Sequence, residues 1–371
     1  MKPAFEVAEV LDRNRQHLSQ IVPNTWKLRA LYAIANCRTQ ALGYHIDQCN
    51  NANCRQIHIS YNSCRNRHCP KCQGHKREEW MQKREADLLN VPYFHVVFTL
   101  PQELNALSLA QPSVMYDGLF KTAWSVIESF AANHKFLGAR SGMIAILHTW
   151  GQNLSLHPHL HCIVPGGGVA ASGKWKALRG KDKYLFPVKA MSKVFRARYT
   201  CFLRKHFDLE SSLYKALFSK NWVVYCKRPF FGPQLIIEYL GRYTHKIAIS
   251  NHRILRLDDG AVTFSAKDYR KGGNKTSVCI TDWEFIRRFS LHILPRGFTR
   301  IRHYGILSSA VKKEVIPVLQ QQTGTPELPQ KTKIKHRICP ICQKGELIVL
   351  AIVKARGPPL STIINRLSIP A

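Results

Sequence analysis

Apolar positions along the middle of the chain alternate between two periods. Tyr93–Leu100 (YFHVVFTL) and Met143–Trp150 (MIAILHTW) are short apolar runs rich in β-branched and aromatic residues, the composition of buried strands. Leu160–Val164 (LHCIV) is a third such run, stopped by Pro165 and three glycines. Between the first two, Val114–His134 places Phe120, Ala123, Trp124 and Ile127 at helical spacing. Gln234–Lys246 and Asp282–Leu294 read as further helices, and AVTFSA and TSVCI as a hairpin around the basic turn YRKGGNK. This alternation over residues 91–310 predicts an α/β fold, an α+β sandwich whose central, largely antiparallel sheet is flanked by helices.

The flanks are patterned differently. Residues 1–90 hold six of the twelve cysteines and read as a separate metal-binding domain. Residues 311–371 read as a linker, QQQTGTPELPQKTKIKHR, followed by one cysteine pair and a weakly patterned tail. No internal repeat is visible.

Charge narrows the partner. Fifty-five Lys and Arg stand against 23 Asp and Glu, a net +32 spread along the chain. Such an excess repels itself unless a polyanion is the usual partner, and nucleic acid is the first expectation. An anionic membrane is the rival. No apolar run reaches the roughly 18 residues of a spanning helix, and the start, MKPAFEVAEVLDRNRQHLSQ, lacks the apolar core of an export signal. A cytoplasm with reduced cysteines is therefore expected, and clustered thiols there point to metal before disulfides.

Cys69 and Cys72 form a C-x-x-C knuckle, and Cys49 and Cys54 a wider pair some fourteen residues upstream. Two such pairs have the spacing of a zinc ribbon, since each offers two thiolates from one turn to a tetrahedral ion. Cys37, His45 and Cys64 are left over, with His68 and His75 nearby, and could complete a second zinc site. All-thiolate sites are closed and structural. Arg65, Arg67 and Lys71 lace the cluster and suggest contact with DNA. Cys339 and Cys342 (CPIC) look like half of another knuckle, with His336 a possible third ligand.

In LHPHLHCIV, His159 and His161 are two apart on a strand and so share a face, where they can point at one divalent ion. With 17 histidines, a His-x-His pair is expected about once by chance, so context must carry the reading. Farther on, Tyr239 and Tyr243 in IIEYLGRYTHKIAIS are spaced i, i+4 on the expected helix. A tyrosine hydroxyl becomes a useful nucleophile when a metal polarises the phosphate it attacks. Arg242 and Lys246 beside them, and Lys271 and Lys275 in the basic turn, suit a phosphate backbone.

These motifs together resemble the insertion-sequence-91 family of transposases, within the HUH (His–hydrophobic–His) nucleases. The resemblance runs from SCRNRHCPKCQ through FHVVFTLP, HPHLHCIVPGGG and EYLGRYTHKIAISN to FIRRFSLHILPRGFTRIRHYG, nearly the whole chain. It implies an N-terminal zinc-binding domain for DNA recognition and an HUH nuclease domain. His159 and His161 become ligands of catalytic Mg2+ or Mn2+, with Tyr239 and Tyr243 as paired nucleophiles. Related nucleases take a third ligand from a polar residue upstream, for which Gln152 is the candidate by position and His157 the competitor. The Cys49–Cys54 spacing is wider than the C-x-x-C expected there. The implied activity is cleavage and rejoining of single-stranded transposon ends through 5′-phosphotyrosine intermediates, as in rolling-circle transposition.

Three rivals are weighed. A replication initiator would carry a helicase P-loop, and Gly168–Trp175 (GVAASGKW) fails that pattern because Trp175 stands where Ser or Thr should be. No nucleotide cofactor is therefore expected. A plasmid relaxase would place its tyrosine before the histidines. A non-enzymatic zinc-dependent regulator would leave the histidines and tyrosines idle.

Overall fold

A computed structural model of the chain describes residues 3–72, 87–178, 185–227, 229, 241, 246–268, 272–324 and 337–355. Its strands are β1 Gly43–Cys49, β2 Ile57–Tyr61, β3 Tyr93–Thr99, β4 Gly142–Trp150, β5 Leu156–Pro165, β6 Gly167–Val169, β7 Trp175–Ala177, β8 Val224–Cys226, β9 Ile254–Asp258, β10 Ala261–Asp268, β11 Asn274–Thr281, β12 Ile301–Gly305 and β13 Leu347–Lys354. The described helices are α1 Val7–Arg13, α2 Leu18–Ile21, α3 Thr25–Ala35, α4 Asn105–Ala110, α5 Pro112–Ala132, α6 Val188–His206, α7 Ser211–Phe218, α8 Asp282–Leu291 and α9 Lys312–Thr323.

The central sheet has the order β12-β4-β5-β3-β8 and is antiparallel throughout. Period-two alternation divides its side chains. Phe94, Val96 and Phe98 of β3, Met143, Ala145 and Leu147 of β4, and Leu160, Cys162 and Val164 of β5 face the core formed with α5 and α6. The opposite face is split. At one end Tyr93, Ile144, Ile146 and Ile163 pack against Leu88, Leu89 and the α9 residues Ile316 and Leu319. At the other end the same face carries imidazoles. The expected strands and the helix over residues 114–134 thus form within a few residues of their expected bounds. A Pro at the first position of α5, whose missing N–H would be unpaired there anyway, starts that helix.

A second sheet, β9-β10-β11, contains the expected hairpin, with Ala261 opposite Thr281 and Asp268 opposite Asn274. Its residues Val262 and Phe264 share a core with Phe285 and Phe289 of α8, Val7 and Leu11 of α1, and Leu31 of α3. The side chain of Thr281 caps α8 by accepting from the Glu284 amide at 3.2 Å, and Asn24 caps α3 in the same way from Lys27. The N-terminal helices are therefore packed onto residues 248–293, not onto the cysteine segment alone.

Two expectations are corrected. The proposed linker begins too early, because Gln320–Thr323 complete α9. Part of the weakly patterned tail is a strand: β13 pairs antiparallel with β1 in a third sheet of order β13-β1-β2. Residues 167–177, which include most of the near-P-loop segment, are a two-stranded hairpin with Gly168 opposite Lys176. Among the described residues no helix is long and apolar enough to cross a membrane.

Candidate functional site

The imidazole end of the central sheet follows from register. His159 lies directly opposite His148 in the β4–β5 ladder and opposite Thr99 in the β3–β5 ladder. His161, two residues along the same strand, lies on the same face. The ligand nitrogens of His148, His159 and His161 lie within 4.8 Å of one another, close enough to hold one ion. His148 is 2% exposed and His161 9% exposed. The ladder shifts register between His148 and Trp150, a bulge at the rim of the site.

The neighbours bear on which nitrogens could take an ion. His159 Nδ1–H donates to the His157 carbonyl at 2.6 Å, leaving Nε2 as the metal-facing atom. His161 Nδ1 is 2.8 Å from Nε2 of His95, which is stacked on it with ring centroids 5.0 Å apart. With Nδ1–H of His161 as donor, Nε2 is the atom of His161 that could take an ion. Such a bond orients a ligating imidazole and raises its basicity. All these rings are held neutral, as ligation requires. Burial, then the charges of Lys227 and His159, lowers His95 to about 3. Burial lowers His159 to about 4, and the charges of His157 and Lys246 add to it. Burial, then His148, His159, His95 and Lys246, holds His161 well below its ordinary value.

The third imidazole is thus His148, which the sequence reading passed over. A signal existed: in MIAILHTW the histidine is the one polar side chain on an otherwise apolar strand face, alternating with Ile144 and Ile146. Gln152 sits in the β4–β5 turn, where its carbonyl accepts a bond from Arg253. His157 is exposed and extends the row outward, its ring centroid 5.2 Å from that of His159. Tyr239, Tyr243 and Arg242 lie outside the described residues. Lys246 is described: its charge reaches His159 and His161, and its carbonyl accepts from Arg300 at 3.0 Å. Lys246 therefore lies beside the histidines.

Eight of the twelve cysteines form two groups, each with all four sulfurs within 4.8 Å of one another: Cys37, Cys64, Cys69 and Cys72, and Cys49, Cys54, Cys339 and Cys342. The expected ribbon of Cys49–Cys54 with Cys69–Cys72 does not form. Each of those pairs sits in a different group, because β1 carries Cys49 toward β13 and away from the knuckle. His45 belongs to neither. It lies on β1 opposite Ile352, with Nε2 3.9 Å from the Asp47 carboxylate. His68 Nε2 accepts from the Leu294 amide at 3.3 Å. His75 and His336 lie outside the described residues. In the first group Cys72 is 3.4 Å from Cys37 and 3.7 Å from Cys64. Thiolates on a tetrahedral zinc at about 2.3 Å are separated by about 3.8 Å, so the sulfurs fit that ion. Five non-glycine residues among those described have positive φ, and four directly follow a cysteine of these groups: Arg38, Arg55, Arg65 and Gln343. A left-handed residue after the ligand folds the chain back around the sulfur, and few side chains take that conformation without cause.

Comparison with known proteins gives this arrangement a context. A family model described as "Putative transposase" matches residues 142–314, the span of His148, His159 and His161. One described as "Transposase zinc-binding domain" matches residues 9–100, which hold the first thiol group whole. The chain is 39% identical to "Putative transposase y4qJ" of Sinorhizobium fredii, over 95% of this chain and 97% of that one. It is 28% identical to "Transposase for insertion sequence element IS801" of Pseudomonas savastanoi pv. phaseolicola, over 76% of this chain and 70% of that one. The chain belongs to the insertion-sequence-91 family of transposases. No solved structure matches it.

A transposase of this kind acts on DNA, and its basic residues divide into two sets. Arg67 is spent internally, donating to the carbonyls of Leu294, Pro295 and Phe298 and so tying the first thiol group to the nuclease domain. Lys71 pairs with Glu6 and bonds the Cys37 carbonyl. Arg65, Lys246 and Lys275 are exposed, and Lys271 lies outside the described residues. Arg65 lines an open cleft of about 520 Å³ with Trp26, Arg29 and Arg296, none of which the sequence reading singled out. The transposase thus presents a cationic, aromatic-edged groove between its zinc-binding and nuclease segments.

Proposed function

We propose that the chain cleaves and rejoins single-stranded transposon ends in rolling-circle transposition. Tyr239 and Tyr243 would be the nucleophiles, and His148, His159 and His161 would hold the catalytic Mg2+ or Mn2+. The observation that carries the reading is the convergence of three imidazoles on one sheet face, two of them oriented by second bonds. Bound there, the ion would polarise the scissile phosphate.

The remaining work falls to the chain. The Oη of one tyrosine gives up its proton and forms a bond to phosphorus, the bond to the 3′ oxygen breaks, and that oxygen takes up a proton to leave as a hydroxyl, so no proton is gained or lost overall. The product is a 5′-phosphotyrosine, so the energy of the diester is retained. Rejoining is the reverse attack by a 3′-hydroxyl and needs no ATP. The second tyrosine can cut again while the first holds its strand, the requirement for moving a strand from one end to another. Lys246, beside the imidazoles, suits the phosphate that must lie there.

The test is a covalent trap. Single-stranded DNA carrying the transposon end is incubated with protein and Mn2+, and the adduct is mapped by mass spectrometry. Adducts on Tyr239 or Tyr243 are expected. An adduct on another residue, or cleavage without one, would sink the reading. His148→Ala should abolish the adduct, whereas Gln152→Ala should retain it.

A further inference from the structure

We infer that Cys49, Cys54, Cys339 and Cys342 bind one zinc ion of their own, and that this ion clasps residues 337–354 onto the N-terminal sheet. The inference does not depend on the tyrosine chemistry. Cys339 and Cys342 lie outside both family matches, and 285 residues separate Cys54 from Cys339.

Geometry supports a closed tetrahedral site. Cys49 is 3.6 Å from Cys342 and Cys54 is 3.8 Å from Cys339, against about 3.8 Å for the edge of a zinc–thiolate tetrahedron. These distances are far beyond a disulfide bond of about 2.05 Å. Each pair contributes a turn with a left-handed residue after its second cysteine, Arg55 in one and Gln343 in the other. Four thiolates around a dication leave a net negative charge, and hydrogen-bond donors surround it. The Gly345 amide donates to Cys342 Sγ at 3.3 Å, Asn51 Nδ2 lies 3.8 Å from the same sulfur, and His58 Nε2 lies 3.5 Å from Cys339 Sγ. A Cβ on Gly345 would stand 2.4 Å from Cys49 Sγ, so only glycine fits there.

The clasp follows from what else holds the strand. Among the described residues little apolar surface secures β13: Val353 joins Tyr44 and Ile46 in a small core on which Ala351 and Ile57 pack, while Ile348, Leu350 and Ile352 are 53%, 41% and 73% exposed. Near the thiols the two segments exchange bonds, Asn50 N–H to the Glu346 carbonyl at 2.9 Å and Glu346 N–H to Asn50 Oδ1 at 2.8 Å. A ladder with so small a core is marginal in water, and four metal–sulfur bonds supply what burial does not.

The experiment uses the full chain. Elemental analysis of protein purified without chelator should find two zinc ions per chain, and one in the Cys339→Ser, Cys342→Ser variant. A single zinc in the wild type, iron in its place, or two zinc ions retained in the variant would overturn the site. Because the variant could misfold, a second measurement uses the wild-type cysteines. A protease recognition sequence is inserted between residues 325 and 336 and cut. The C-terminal piece should co-elute with the body on gel filtration and separate when zinc is chelated. A piece that stays bound after both ions are gone overturns the clasp, and so does one that separates while both remain.

Discussion

The histidine centre and the second thiol group are the two metal sites we propose, and opposite means bring their side chains together. His148, His159 and His161 lie on adjacent strands joined by one turn, and sheet register sets their spacing before any ion arrives. The four thiols of the other group come from distant parts of the chain, joined among the described residues by the β1–β13 ladder and a small core of Tyr44, Ile46 and Val353. A site preset by its scaffold can leave coordination positions open for a substrate. A site assembled by its metal spends every position on protein. The first arrangement suits catalysis and the second architecture.

The largest effect should come from the preset centre. His159→Ala or His161→Ala should lower cleavage of single-stranded DNA by about three orders of magnitude. DNA binding, measured in the same preparations, should stay within about threefold, because dispersed cations carry it. Equal loss of both in folded protein would contradict the contrast. The nucleophiles give a matching test: Tyr239→Phe with Tyr243→Phe should form no covalent adduct, while at least one single variant still does.

Next comes the first thiol group, which is metal-assembled yet tied into a larger core. Cys37→Ser should lose one zinc per chain and lower the melting temperature by about 10 °C, since binding energy there is folding energy. Unchanged melting would mean that the helices of the second core hold without the ion.

A smaller effect tests how far the scaffold tunes the preset site. His95→Ala should weaken Mn2+ binding by about 10- to 100-fold in calorimetry, with zinc content unchanged. His95→Gln, whose amide oxygen can accept from His161 Nδ1–H, should recover most of it. If both variants bind alike, His95 is packing only.

The smallest effect lies in the groove between the regions. Arg65→Ala should cost a few-fold in DNA affinity and reduce the slope of log affinity against log salt by about 1. A slope that does not move would take Arg65 off the DNA path.

How much of this was legible follows from the range of each signal. Strand periodicity is local, so β3, β4, β5 and the hairpin of β10 and β11 could be read directly, and with them the shared face of His159 and His161. His148 was missed because its relation to His159 is a cross-strand register, which no spacing along the chain displays. The thiol partners were misassigned for the same reason at longer range. Sequence proximity favoured Cys49 with Cys69, whereas pairing of β1 with β13 brings Cys49 to Cys342. Arg67 and Lys71 looked like DNA contacts because charge is visible in a sequence and its internal partners are not.

The span between the paired thiols also has a meaning in time. Cys54 leaves the ribosome 285 residues ahead of Cys339. At about 5–20 residues per second, that interval is about 15 s to 1 min. Throughout it the early pair has no native partner and is open to oxidation, to the wrong metal, or to the thiols of the neighbouring knuckle. A chain cut short before Cys342 never closes the site, so the site doubles as a check that synthesis passed that residue.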